Sequence, residues 1–138
     1  MVTKKLAYKK KGFTLIELMI VISILLVLIG FMIPKFSAYL DKAKKIKAMN
    51  TAKQIHTAAM ASYGDNNGKF VEADVSNNIT TLTTLISTDI VNASVTGDGQ
   101  SLQVTFTSDV KPYTMDINAS GNTYTLKQGT IVIFPKAP

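Results

Sequence analysis

The chain has 138 residues, 46% of them hydrophobic, with 15 Lys, no Arg, 9 acidic residues, a net charge of +6 and no Cys. That length bounds it to one domain at most, and the lack of Cys excludes a disulfide framework, a thiolate-ligated zinc and a cysteine nucleophile. The charge is +5 over residues 1–12, −1 at Glu17, +5 over 35–53 and −3 over 54–138, so without its first 12 residues the chain carries only +1. Most of the basicity therefore reads as a topological address, not as a nucleic-acid surface.

Residues 13–33, FTLIELMIVISILLVLIGFMI, contain 17 apolar positions in 21. As a helix they would extend roughly 31 Å, enough to cross the hydrocarbon core of a bilayer. A secretory signal has a shorter apolar core and an A-x-A-like cleavage site, and none follows here. Lys4, Lys5, Lys9, Lys10 and Lys11 precede the span with no acid among them. Positive charge is retained on the cytoplasmic side, which places the N-terminus in the cytoplasm and the body outside.

Helical periodicity continues beyond the span through Phe36, Tyr39, Leu40, Ala43 and Ile46, then Ala48, Ala52, Ile55 and Ala59. The spacing predicts a helix over 13–63, about 76 Å long, with Gly64 as its C′ residue and Asp65, Asn66, Asn67 and Gly68 as a turn. Pro34 removes the N–H that would bond the Gly30 carbonyl, so the run between Gly30 and Pro34 is either the end of the membrane span or a weak point in one continuous helix. Continuity is favoured, because the period resumes within two residues and no turn residues follow.

The remainder is rich in Thr, Ser, Asn and Gly. Ile79, Leu82, Leu85 and Ile86 suit one short helical turn. Alternation then predicts strands at Leu102, Val104 and Phe106; at Tyr113, Met115 and Ile117; at Tyr124 and Leu126; and over 131–134, with a turn over 118–122. Three or four antiparallel strands bury one face, and the outer half of the long helix is the surface available to cover it. The expected class is α+β, one long N-terminal helix packed against a small antiparallel head.

Lys10, Lys11, Gly12, Phe13, Thr14, Leu15, Ile16, Glu17 and Leu18, followed by the apolar run, resemble the class III leader and N-terminal helix of type IV pilins and pseudopilins. The resemblance is close over residues 9–34 and architectural beyond them. It implies a pilin-like division into a basic leader (1–12), a transmembrane and assembly half-helix (13–34), an amphipathic half-helix (35–63) and a β-rich head (64–138). It also implies cleavage after Gly12 by a prepilin peptidase and N-methylation of the new first residue, Phe13. A glycine suits that bond, because without a Cβ its backbone can lie extended in a catalytic cleft; the other reading of Gly12 is a flexible joint. Glu17 is implied to pair with the Phe13 amino group of a neighbouring subunit and so set axial stagger. Its alternative is a carboxylate tolerated in the first helical turn by the macrodipole. Gly30 and Pro34 match positions where packed pilin helices are locally unwound.

Other candidates are weaker. Lys42, Lys44, Lys45, Lys47 and Lys53 suggest DNA or anionic lipid, but Arg is absent and few aromatics are interleaved, so a solvated face meeting acids of adjacent subunits is preferred. Asp41 stands three and four residues before Lys44 and Lys45, a helix-stabilising spacing. His56, the sole histidine, reads as structural. Asp65, Asn67 and Gly68 lack EF-hand spacing and read as a turn. Asn78, Asn92 and Asn118 begin glycosylation triplets by pattern alone.

The resemblance implies a structural subunit of a type IV pilus, held in the cytoplasmic membrane and then polymerised into a surface filament for adhesion and twitching or gliding motility. The expected partners are copies of itself, a prepilin peptidase, an assembly ATPase with its membrane platform, and lipid before assembly. The alternative is a pseudopilin of a competence DNA-uptake or type II secretion system; a membrane-tethered DNA binder stands third. No cofactor, metal or enzymatic activity is expected, since no nucleophile–base constellation is present.

Overall fold

A computed structural model describes residues 11–83 and 90–135. The leader lysines before Lys11, together with Leu85 and Ile86, lie outside the described residues. The chain forms two compact units, residues 1–40 and 41–138, and helix α1 belongs in part to each.

Helix α1 is continuous over Leu15–Asp65 and contains Pro34. In the first unit every described residue is exposed, including Ile22, Ile24, Leu25 and Leu28. It is the one described helix long and apolar enough to cross a membrane. A helix apolar on all sides gains nothing by leaving water unless lipid or other helices surround it.

In the second unit α1 becomes one-sided, burying Ala48, Ala52, Ile55, Ala58, Ala59 and Ser62. Small residues on this face let the helix backbone lie close to the sheet, and Ile55 is its one large aliphatic side chain. The helix ends two residues beyond the expected boundary, so Gly64 is helical and the reversal falls on Asn67, at φ +56°. The Gly68 N–H then donates to the Tyr63 carbonyl at 3.0 Å, the six-to-one bond that closes a helix end after a left-handed residue.

The head is a five-stranded antiparallel meander, β1 (Ile90–Thr96), β2 (Ser101–Ser108), β3 (Lys111–Asn118), β4 (Thr123–Gln128) and β5 (Ile131–Phe134), in sequential order across the sheet. Period-two alternation sends Leu102, Val104 and Phe106 inward opposite Ile117, Met115 and Tyr113, and Leu126 inward opposite Met115. These residues form one core with the buried face of α1, Phe70, Val75 and Ile79. The Phe106 and Tyr113 rings stack with centroids 5.6 Å apart.

Two elements differ from the sequence expectation. Helix α2 occupies Glu72–Leu82 rather than a turn beginning at Ile79, because Val75, Ile79 and Leu82 lie on one stripe and Glu72 and Asp74 stand in its first turn, where acids suit the helix dipole. Strand β1 adds a fifth strand to the three or four expected; its Asn92, Ala93 and Ser94 give almost no apolar contrast, and it is ordered by pairing with β2.

Candidate functional site

The junction ahead of α1 is open. Around Gly12 an added Cβ would meet no atom within 4 Å, and Phe13 is 93% exposed. The peptide joining them is thus sterically free, in non-helical backbone just before the first turn.

Glu17 sits in that first turn and is engaged by its own chain. The Thr14 N–H donates to Glu17 Oε2 at 2.8 Å, and the Glu17 N–H donates to Thr14 Oγ1 at 3.3 Å. This reciprocal pair is a capping box, which satisfies two otherwise unpartnered N–H groups at the helix start. Its charge, its first-turn position and the family resemblance all single out Glu17 in the sequence, but none of them names Thr14 as its partner. The signal was present in the T-x-x-E spacing immediately before an apolar run.

Gly30 and Pro34 lie inside α1, both in exposed helix. Pro34 does not interrupt α1, although a proline there cannot donate the usual backbone bond.

The lysine run begins the second unit and is partly tied to the sheet. Lys47 Nζ lies 3.0 Å from Asp109 Oδ1, and Lys111 Nζ lies 3.8 Å from Asp41 Oδ1. Asp41 therefore pairs with Lys111, not with Lys44 or Lys45 as the helical spacing suggested. Both ion pairs hold the β2–β3 turn against the base of α1 within this unit. The turn itself is a two-residue loop, Asp109 at φ +50° and Val110 at φ +65°, with Val110 94% exposed.

His56 packs at 4.9 Å, ring centre to ring centre, on Tyr124, which in turn lies 4.9 Å from Phe134. Its buried Nε2 has no hydrogen-bond partner among the described residues. Burial pushes the imidazole pKa down, so the neutral ring is favoured. On the outer face of the sheet, Asp116 is partly desolvated, which would raise its pKa. Hydrogen bonds from Lys127 and Gln103, both at 2.8 Å, outweigh that and hold it below the usual carboxylate range. Among the described residues no group of three or more His, Cys, Asp or Glu is placed to hold a metal ion. The Asp65 carboxyl belongs to the last turn of α1, and Asn67 and Gly68 form the reversal. Asn78 lies in α2, Asn92 in β1, and Asn118 at the end of β3, where its Oδ1 accepts from the Ser120 N–H.

No curated protein and no solved structure matches the chain. Residues 8–33 match the family model of the prokaryotic N-terminal methylation motif. That stretch covers Gly12, Phe13, the Thr14–Glu17 capping box and the apolar helix, and its long uncovered helix and motif together support membrane anchoring. The N-terminal region is thus a class III prepilin leader with its methylation motif, the mark of type IV pilins and pseudopilins, and it implies processing by a prepilin peptidase and assembly into a filament.

Proposed function

We propose that the chain is the structural subunit of a type IV pilus, used for surface adhesion and for twitching or gliding motility. Residues 1–12 are the leader, 13–34 the membrane and assembly half of the helix, 35–63 its amphipathic half and 64–138 the head. The N-terminus faces the cytoplasm, and an assembly ATPase with its membrane platform moves the processed subunit outward. After cleavage following Gly12, the amine of Phe13 becomes a protonated, N-methylated terminus that keeps its positive charge.

The observation that carries this reading is Glu17, an acid in the first turn of α1, at the head of an apolar stretch that is exposed on every side as far as Leu40. A carboxylate in a bilayer costs roughly 2.5–3.5 kcal/mol at the centre and less near an end. Thr14 meets part of that cost in the single chain by bonding Oε2. In a filament the carboxylate takes the Phe13 ammonium of a neighbour. A subunit packed in the wrong register would leave one of these charges buried and unpaired, a severe penalty in a dry helix bundle. Gly30 and Pro34 supply the segment that can unwind as helices pack, since Pro34 already lacks one helical hydrogen bond.

The test is surface shearing of cells that carry Glu17→Ala or Glu17→Asp. Glu17→Ala should accumulate in the membrane and be absent from sheared fibres, and Glu17→Asp should recover part of the assembly. Wild-type fibre yield from Glu17→Ala would overturn the proposal.

A further inference from the structure

We propose that the lysine side of α1 docks the acidic end of the head of a second copy of this chain, and that this contact selects a staggered neighbour in the array. The inference rests on the filament reading above and adds an interface to it.

The second unit is electrically two-ended. At the base of α1, Lys47 and Asp41 are consumed by Asp109 and Lys111. Among the described residues no ion pair ends on Lys42, Lys45 or Lys53, and all three are exposed. Lys42 and Lys53 are eleven residues apart, so on a 3.6-residue helix they point within about 20° of each other, and Lys45 lies about 60–80° around. Three cations thus share one side of the helix, and Lys42 and Lys53 point well away from the Ala48, Ala52 and Ala59 stripe that meets the sheet.

The other end of the unit is acidic. There the Phe70 N–H donates to the Gly99 carbonyl at 2.9 Å, Gln100 Nε2 donates to the Gly68 carbonyl at 2.9 Å, and the Val95 N–H donates to Glu72 Oε1 at 2.9 Å. These bonds gather the end of α1, the start of α2 and the β1–β2 turn. Asp65, Glu72 and Asp98 are exposed around this knot and Asp74 is half-buried, against Lys69 as the one nearby cation in sequence. Among the described residues no ion pair ends on any of the four acids.

A second copy is the partner whose charge fits both ends at once. Two copies side by side and flush would set cations against cations and acids against acids. A copy displaced along the helix by the Lys53–Asp65 to Lys42–Asp65 separation, about 18–35 Å, sets unlike ends together. The Glu17 to Phe13 contact needs a displacement of only four residues, about 6 Å, so the two contacts involve different neighbours. A polyanion such as DNA fits less well, because it matches the lysine end alone and leaves the acidic end without a partner.

The experiment uses full-length chain in piliated cells. Zero-length carbodiimide coupling of sheared fibres grown from mixed isotope-labelled and unlabelled subunits should give inter-chain amides joining Lys42, Lys45 or Lys53 to Asp65, Glu72, Asp74 or Asp98. The triple variant Lys42→Glu, Lys45→Glu, Lys53→Glu should lower sheared fibre yield about tenfold with its membrane level unchanged. Adding Asp65→Lys and Asp74→Lys to it should restore about half of the loss, as complementary swaps do when the partners touch. Normal fibre yield from the triple variant, no inter-chain coupling, or no restoration by the swap overturns the dock. Normal fibres with lost DNA capture also overturn it and assign the lysines to nucleic acid. If wild-type sheared material contains no trimmed chain, the filament reading itself falls, and the dock with it.

Discussion

Ile55 is where the long helix grips the head. It is fully buried among Ala48, Ala52, Ala58, Ala59 and Ser62 on its own helix and shares a core with Leu102, Val104 and Met115. Ile55→Ala removes three carbon groups, about 2.4 kcal/mol at roughly 0.8 kcal/mol each. The cavity left between helix and sheet adds to this, and buried Ile→Ala changes cost about 2–5 kcal/mol, so about 3–4 kcal/mol is expected here. For a unit of this size each kcal/mol shifts the midpoint by about 4–8 °C, giving a fall of roughly 12–30 °C. The assay is thermal unfolding of the full-length chain in detergent micelles, followed by near-ultraviolet circular dichroism from the head tyrosines. Ile46→Ala is the control, since Ile46 is 49% exposed on the same helix and should cost under about 1 kcal/mol. Equal shifts for the two variants, or an Ile55→Ala cost below about 1 kcal/mol, would refute the packing argument.

The β2–β3 turn predicts a gain. Val110 holds φ +65°, a conformation that costs a side-chain-bearing residue about 1–2 kcal/mol, so Val110→Gly should raise stability by about 0.5–1 kcal/mol after the added chain entropy is counted. A lower midpoint would contradict this. Gly99→Ala should destabilise by about 1–2 kcal/mol, because Gly99 sits at φ +83° and a new Cβ would lie 3.0 Å from Lys69 Cβ. Gly129→Ala, at φ +59° in open space, should show the backbone cost alone. For His56 the folded pKa is below the unfolded value of 6.5, so the unfolded chain binds the proton more readily. Stability is therefore complete above pH 6.5 and declines as pH falls from there toward the folded pKa. Melting at pH 7.5 and 5.5 should show this loss in the wild type and a smaller one in His56→Gln; identical pH dependence in both would dismiss the assignment.

How far the fold could be read ahead depended on whether its signal was local. The apolar run over 13–33 and the acid within it need only composition. The alternation of Leu102, Val104 and Phe106, and again of Tyr113, Met115 and Ile117, is written in consecutive residues and became β2 and β3. Strand β1 was invisible, because Asn92, Ala93 and Ser94 acquire strand geometry only from β2. In α2, four Thr around the end of the helix masked a Val75, Ile79 and Leu82 stripe that starts earlier. The ion pairs are different in kind: Lys47 and Asp109 are 62 residues apart, and no local pattern announces them. Helical spacing offers Asp41 to Lys44 and Lys45, yet tertiary structure brings Lys111 to it. At the candidate site, the order of residues in the sequence is enough to propose Gly12, Phe13 and Glu17, whereas the Thr14 capping bond is signalled by spacing rather than charge.

In the proposed assembly, proteolysis after Gly12 creates the charge that Glu17 receives. Intact-mass and N-terminal peptide measurement on fibres sheared from cells tests it most directly. The expected chain has lost its first 12 residues, begins at Phe13 and is one methyl group heavier than the bare sequence. Fibres built from chains that still begin at Met1 would contradict it.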